Sequence, residues 1–476
     1  VEVELFQPSR FVEGYGVHPS SIDNALEKDV KLLITVDCGI SNLETADYAK
    51  EKDLDLIITD HHKDTKEHMP RAYSVVNPNR RDEPKDSPLK ALAGVGVAFA
   101  VCLKVKNLLA NKGVETPSIY PLLQYVAIGT ICDMAHLNPM NIKLTRHGLK
   151  QIPNTEYAGV ACFFNDEDRA FPVIPSEKIS FYVGPLINSK GRLDHPDKAL
   201  RLLIAKEHAE AFENYSHLEI SNRERKIIQN EVFLEARKQV ISEMRGADHL
   251  ISIVYAPEWH EGVIGIVASK LVETFGVPAI VFTDSEQKGT IKASARSAGD
   301  LDLFKCLKDC EELFTKFGGH KAAAGLSMPK DNFTDFKNKM NGLLAEVPPI
   351  TRINQDSFDA MISFQDIDRS LLRELDKLEP FGMGNPRPVF RMDDAIIESY
   401  KILKDVHVKW TFTGRQNPKN KLSGISFNFV GKWGCQSPEE LFNSQGEGLS
   451  VSFGLGINRF RGNEIIQLMV EKIETP

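Results

Sequence analysis

Two short apolar runs, Lys31-Leu-Leu-Ile-Thr-Val-Asp37 and Asp55-Leu-Ile-Ile-Thr-Asp60, share one design: β-branched and aliphatic residues that end in an aspartate. Between them Ser41 and Glu44 fit a capping box, which predicts a helix to about residue 52. Continuous apolar strands around a helix are the signature of a buried parallel sheet, and such sheets gather chemistry at the carboxyl ends of their strands. Asp37 and Asp60 both fall at such ends. This constrains the N-terminal part of the chain to an α/β architecture with its acids on one edge.

The apolar stretches 91–106 and 121–131 predict helices that cover the sheet. Residues 206–246 are long, charged and free of proline, which predicts a solvated connecting helix. A second α/β region follows. It has a strand at 250–255, a helix at 262–275, strands at 278–283 and 290–295, and helices to about residue 345. Pro348 and Pro349 punctuate the chain, and from residue 351 apolar residues alternate, as in Val408-Lys-Trp-Thr-Phe-Thr-Gly414 and Ser423-Gly-Ile-Ser-Phe-Asn-Phe-Val430. Short antiparallel strands with glycine-rich breaks predict a small β-barrel. A length of 476 residues suits several such domains, and 42% hydrophobic with 26% charged residues is ordinary for a globular protein.

Composition also excludes some classes. The net charge of -8 disfavours a generic DNA coat but leaves room for local basic patches. The 7 cysteines, with no C-x-x-C pair, read as reduced thiols of a cytoplasmic protein. The longest apolar stretch, near residues 94–103, is short of the roughly 20 residues that span a bilayer, so neither a transmembrane helix nor membrane association is expected. The first ten residues carry charges and no apolar core segment, so no signal peptide is expected.

The sharpest chemical feature is Asp60-His61-His62 behind a strand. Imidazole and carboxylate are good ligands for divalent ions such as Mn²⁺. Asp37 ends the neighbouring strand, in Val36-Asp-Cys-Gly39, and Asp133 ends a third apolar segment, in Gly129-Thr-Ile-Cys-Asp133. Acids at strand ends joined to adjacent histidines point to a metal site.

In this order the motifs Val-Asp-Cys-Gly, Thr-Asp-His-His, Val76-Asn-Pro78 and Gly-Thr-Ile-Cys-Asp resemble the DHH phosphoesterase superfamily. Further residues narrow the resemblance to the RecJ family of single-strand-specific 5′→3′ exonucleases. They are Arg10-Phe-Val-Glu-Gly-Tyr-Gly16, Gly184-Pro-Leu-Ile-Asn188 with Gly191-Arg-Leu193, Trp259-His-Glu-Gly-Val-Ile-Gly265, Ser294-Ala-Arg296, Phe317-Gly-Gly-His-Lys-Ala-Ala-Ala-Gly325 and Glu379-Pro-Phe-Gly-Met-Gly-Asn-Pro386. The resemblance implies a DHH catalytic domain over residues 1–205, a connecting helix over 206–246, a DHHA1 domain over 247–347 and an OB-fold nucleic-acid-binding domain over 351–476. It implies two ions, Mn²⁺ or Mg²⁺, gripping the scissile phosphate. Asp37 would bridge them, His61 and Asp133 would complete one shell, His62 would contact the phosphate and Asp60 would orient its neighbours.

By the same resemblance Arg10, Ser294 and Arg296 would grip the 5′ phosphate, with Arg192 a further candidate. Arginine suits this task because its planar fork bonds phosphate oxygens in pairs. Gly318, Gly319 and His320 would reach substrate closely; the alternative is a glycine-rich helix start packed on the sheet. In the barrel, lysines are interleaved with aromatic residues. Most of those aromatic residues read as core, leaving Lys409, Trp410 and Arg415 as candidate contacts to single-stranded DNA.

One departure stands out. The acid-rich Asp-x-Asp-x-Asp-Gly loop of the family is absent, although it would precede Arg10, so the chain as given is expected to hold half a metal centre and to be poorly active alone. The resemblance implies a monomeric exonuclease that releases mononucleotides from the 5′ end of single-stranded DNA in recombination and repair, with single-strand-binding protein and a helicase as partners. Two other readings stay open. One is a relative acting on oligoribonucleotides or cyclic dinucleotides; the other is a catalytically silent single-strand-binding scaffold.

Overall fold

In a computed structural model of the chain, residues 2–8, 16–64, 66–193, 197–244, 249–352, 357–415, 417–430, 436–446, 448–460 and 463–475 are described. The chain divides into two units, Val1–Arg223 with Leu378–Arg387, and Glu224–Lys377 with Pro388–Pro476.

In the first unit the two acid-ended runs form β1 (Leu32–Val36) and β2 (Asp55–Thr59), parallel neighbours in register Leu33↔Leu56 and Thr35↔Ile58. A short β3 (Ser74–Val76) extends the sheet in the order β1-β2-β3. One face of the sheet is sealed by α1 (Pro19–Glu27) and α2 (Leu43–Glu51), burying Ile22, Ala25, Ala46, Ala49, Leu56 and Ile58. The helix between the strands starts later than its sequence suggests. Its N-cap is Asn42, not Ser41, and no side chain caps it. The Asn42 amide is tied back to the Gly39 carbonyl at 3.0 Å and its side chain lies against Gly16, so a turn occupies the position of the first helical residues.

α3 (Gly94–Asn111) packs on β1 and β2 and meets α4 (Leu123–Cys132), which packs in turn on α5 (Pro139–Gln151). α3 has 18 residues and is apolar enough, by length and composition alone, to cross a membrane. The expectation that no helix spans a membrane rested on the shorter apolar stretch near residues 94–103, whereas the helix runs on to Asn111. Its first residue abuts Asp37, which makes it a component of this domain.

A helix of 36 residues, α6 (His208–Glu243), fills the expected connecting stretch, and the division between the units falls within it. The second unit holds a sheet of order β4-β5-β6-β8-β7, with β4 (Ser252–Tyr255) parallel to β5 (Ala279–Asp284) and the remaining pairs antiparallel. α7 (Glu261–Phe275) links β4 to β5. After β6 (Thr290–Arg296) come β7 (Lys316–His320) and β8 (Ala323–Pro329), a hairpin where helices were expected. Glycines and alanines disguise its period, yet Ala324, Leu326 and Met328 are buried in strict alternation. α8 (Phe333–Ala345) then closes the domain.

Beyond a short β9 (Ala360–Met361) and α9 (Arg369–Asp376), the barrel is built from β10 (Val389–Leu403), β11 (His407–Gly414), β12 (Asn417–Ser426), β13 (Leu449–Phe460) and β14 (Asn463–Glu474). Their order is β11-β12-β14-β13-β10, and pairing of β10 with β11 closes it. Trp410, Phe412 and Phe453 fill the interior.

Candidate metal and nucleic-acid site

Parallel pairing sets the acids side by side. The Asp37 amide donates to the Thr59 carbonyl at 2.9 Å and the Asp60 amide to the Val76 carbonyl at 3.1 Å, so both aspartates leave the sheet at its carboxyl edge. Asp60 is buried and acts as an organiser. Its Oδ1 accepts the amides of His61 (2.7 Å) and His62 (3.1 Å) and lies 2.7 Å from His62 Nδ1, while Oδ2 accepts the Ile40 amide at 3.0 Å. Burial pushes its carboxyl up, but the His62 ring and the Ile40 and His62 amides outweigh burial and hold it below the usual range.

The two histidine carbonyls are also held. Asn77 Nδ2 donates to the carbonyl of His62 (2.9 Å) and Asn79 Nδ2 to that of His61 (2.6 Å). Asn77 belongs to a quoted motif without an assigned role, and Asn79 was missed altogether.

His61 Nε2 lies 3.1 Å from Asp37 Oδ1 and 3.6 Å from Asp133 Oδ2. It is a buried nitrogen that no partner meets with hydrogen-bond geometry. Donor atoms of Asp37, His61 and His62 all lie within 4.8 Å of one another. A buried imidazole nitrogen aimed between two carboxylates, without a directed bond of its own, fits a divalent cation. The neighbour Asp37 raises the pKa of His61, while burial raises that of Asp133 with further help from Asp37.

Asp37 itself has φ +67, an unusual conformation for a non-glycine residue. Gly94, the first residue of α3, makes this arrangement possible, because a Cβ there would stand 2.3 Å from Asp37 Oδ1. Gly94 is a second residue missed in the sequence; its signal is a glycine opening an otherwise apolar helix. Asp133 caps the carboxyl end of α4.

In the second unit, β6, β8 and β7 align Ser294 with Gly325 and Gly318, and Arg296 with Ala323 and His320. Directly opposed residues share a face of a sheet, so Ser294, Arg296, Gly318 and His320 stand on one side. Arg296 Nη1 donates to Ser294 Oγ at 2.9 Å, and the start of α7 lies close above, at Gly265. Gly318 meets nothing within 4 Å, so the face is open there. Gly318, Gly319 and His320 therefore lie on an exposed strand, not at the helix start that was the alternative reading. Arg10 lies outside the described residues, as does the side chain of Arg192.

The barrel corrects one expectation. Trp410 is fully buried, donates from Nε1 to Ser426 Oγ at 2.8 Å and packs among Tyr400, Phe412 and Phe429, so its ring is not available to a base. Strand parity explains this: Val408, Trp410 and Phe412 face inward, and Lys409 faces out. The outward row pairs Lys401 with Lys409 and Leu403 with His407. Phe427, exposed at the end of β12, sets its ring 5.4 Å from that of His407. Arg415 is exposed and donates to the Gly446 carbonyl at 3.4 Å.

Residues 2–130 match the DHH family N-terminal domain, residues 248–346 the DHHA1 domain and residues 358–472 the RecJ OB domain. The chain is 30% identical over 488 residues to the single-stranded-DNA-specific exonuclease RecJ of Escherichia coli strain K12, with 99% of this chain and 82% of that protein covered. It is 33% identical to the protein of the same name from Bacillus subtilis strain 168, covering 90% of this chain and about half of that one (52%). A crystal structure of RecJ with Mn²⁺ from Thermus thermophilus superposes with a TM-score of 0.76 at 26% identity, over 96% of this chain and 64% of that one. A manganese-bound exonuclease RecJ superposes with a TM-score of 0.57 at 31% identity, over 72% of this chain and 82% of that one.

Proposed function

The chain belongs to the RecJ family, and from that premise we propose that it is the metal-binding and strand-holding body of an exonuclease that hydrolyses single-stranded DNA from its 5′ end. The observation that carries this reading is the convergence of His61 Nε2 on Asp37 and Asp133. Two divalent cations, Mn²⁺ or Mg²⁺, would supply an activated water and charge neutralisation at the scissile phosphate. Asp37, His61 and Asp133 are the ligands this chain offers. Asp60 keeps both histidines in place, and His62, fixed through Nδ1, presents Nε2 toward substrate.

The face carrying Ser294, Arg296, Gly318 and His320 suits a terminal phosphate. Its guanidinium, hydroxyl and imidazole groups are donors on one face of the sheet, and the glycine row leaves room for the backbone of a strand. A terminal clamp accounts for 5′ polarity. The outward row of Lys401, His407, Lys409 and Phe427 suits an electrostatic and stacking track that ignores sequence, with Phe427 and His407 in the role expected of Trp410. Arg10 and Arg192 are retained as further phosphate ligands, and Arg415 as a flank of the track. The products would be mononucleotides, and the setting recombination and repair in the cytoplasm. A monomer would act there with a helicase and single-strand-binding protein.

A length series of 5′-labelled oligonucleotides with Mn²⁺, run on the full-length protein, tests the proposal. Preference for long single-stranded DNA, cut from the 5′ end, is expected. Preference for dinucleotides, or for RNA, would transfer the assignment to the oligonucleotide-phosphodiesterase branch, and binding without cleavage would leave a scaffold.

A further inference from the structure

Ten residues from the C-terminal half of the chain, Leu378–Arg387, belong to the first unit. They leave the second unit after α9 and return to it at β10. The segment is closed on itself by Asn385, whose Nδ2 donates to the carbonyls of Leu378 and Pro380, each at 2.8 Å. We propose that this strap is a positioning element of the metal centre, gripping the chain on both sides of Asp133. The proposal rests on the metal reading above and goes beyond it by assigning a role to residues remote in sequence.

The first grip is on the loop after Asp133. α4 ends at Cys132, and Met134 turns the chain at once, with φ +54. The Leu137 amide donates to the Met383 carbonyl at 2.7 Å, a backbone bond between segments far apart in sequence. Gly384 lies against the ring of His136, with φ +81 and no room for a side chain, since a Cβ would stand 2.5 Å from His136 Nε2. Gly382 lies similarly against Leu137.

The second grip is on the segment that backs Cys132. Ser176 is wholly buried; it donates from Oγ to Glu379 Oε2 at 2.9 Å and accepts the Phe381 amide at 2.9 Å. Arg387 bonds Glu177 and lies 4.4 Å above the ring of Phe381. From Glu177 the chain runs through one π-helical turn, Ile179–Val183, to Gly184, where a Cβ would stand 3.1 Å from Cys132 Sγ. The strap thus fixes His136 and Leu137 on one side of Asp133 and, through Ser176 and Glu177, the element packed on Cys132 on the other. Partners outside the ligand shell that set a ligand's direction are worth about 10–100-fold in metal affinity.

The test is Mn²⁺ binding to the whole chain, read by electron paramagnetic resonance of free Mn²⁺, with thermal melting measured in parallel. Gly384→Ala strikes the first grip and Arg387→Ala the second. Each is expected to weaken Mn²⁺ binding about tenfold or more, in samples whose circular dichroism shows them folded at the assay temperature. Lower melting temperatures with unchanged Mn²⁺ affinity in both variants would overturn the proposal and leave the strap a purely structural brace. A wild-type chain that binds no Mn²⁺ would overturn the metal reading and this proposal with it, which separates the two failures.

Discussion

Asp37 Oδ1 and His61 Nε2 approach to 3.1 Å although they lie 24 positions apart, because β1 and β2 pair in parallel and the chain leaves both strands at the same edge. The contact is close but poorly directed, as expected of two ligands that share an ion. Asp37→Ala in the complete enzyme is therefore expected to abolish Mn²⁺-dependent cleavage while leaving single-strand binding within about twofold, since phosphate and stacking contacts supply that affinity. Cleavage assays alongside fluorescence anisotropy check it; retained cleavage would refute the ligand role.

Asp60 makes a different prediction because it stands behind the ligands and acts only through them. Asp60→Asn keeps the shape but offers one acceptor oxygen where two now serve three amides and an imidazole. The amide nitrogen must then face either the Ile40 amide or those of the histidines. Mn²⁺ affinity is expected to fall by about 10–100-fold, and calorimetric titration measures it. An unchanged affinity would show that the histidines need no such anchor.

Much of this centre is legible in the sequence, for a local reason. Apolar runs ending in Asp37 and Asp60 declare both the strands and the edge where they stop, and Asp60-His61-His62 is contiguous. The residues that escaped act across the fold. Gly94 matters only because α3 begins on top of Asp37, and Asn79 because its side chain reaches the His61 carbonyl. The β7–β8 hairpin was hidden by small residues whose alternation carries little hydrophobic contrast. Trp410 was misassigned because an aromatic residue among lysines looks like a stacking surface until strand parity turns Lys409 outward and the indole inward.

That parity separates two roles in the barrel. Trp410→Ala is expected to cost about 3–5 kcal/mol of stability, as for other large core truncations. Phe427→Ala should leave the melting temperature unchanged and weaken single-stranded DNA binding by about 1–3 kcal/mol. Urea unfolding and anisotropy on the two variants distinguish these outcomes, and a Phe427 variant that melts early but binds normally would remove Phe427 from the track.

On the DHHA1-type sheet, Arg296→Ala should act on the strand end alone. Loss of a charge-assisted contact costs about 1.5–3 kcal/mol, so the preference for 5′-phosphorylated over 5′-hydroxyl DNA should shrink accordingly. The slope of log affinity against log salt should fall by about one. Equal loss for both substrates would make Arg296 a general backbone contact instead of a terminal clamp.

The strap carries a titrating group whose effect on stability has a definite sign. Burial, reinforced by the neighbouring Glu177, raises the Glu379 carboxyl above its ordinary range, more than Ser176 and Arg387 lower it. The folded chain therefore binds this proton at pH values where the unfolded chain has released it. Stability from this group is complete below the unfolded value, about pH 4.3, and is lost as pH rises through the folded one. Glu379→Gln cannot titrate and lacks this slope. Its stability relative to the wild type should improve as pH rises above about 4 and level off once the folded carboxyl has ionised, as read from urea unfolding at several pH values. A flat difference would mean that burial is cancelled by Arg387 and Ser176, and one that turns against glutamine with rising pH that those two dominate and hold the carboxylate ionised.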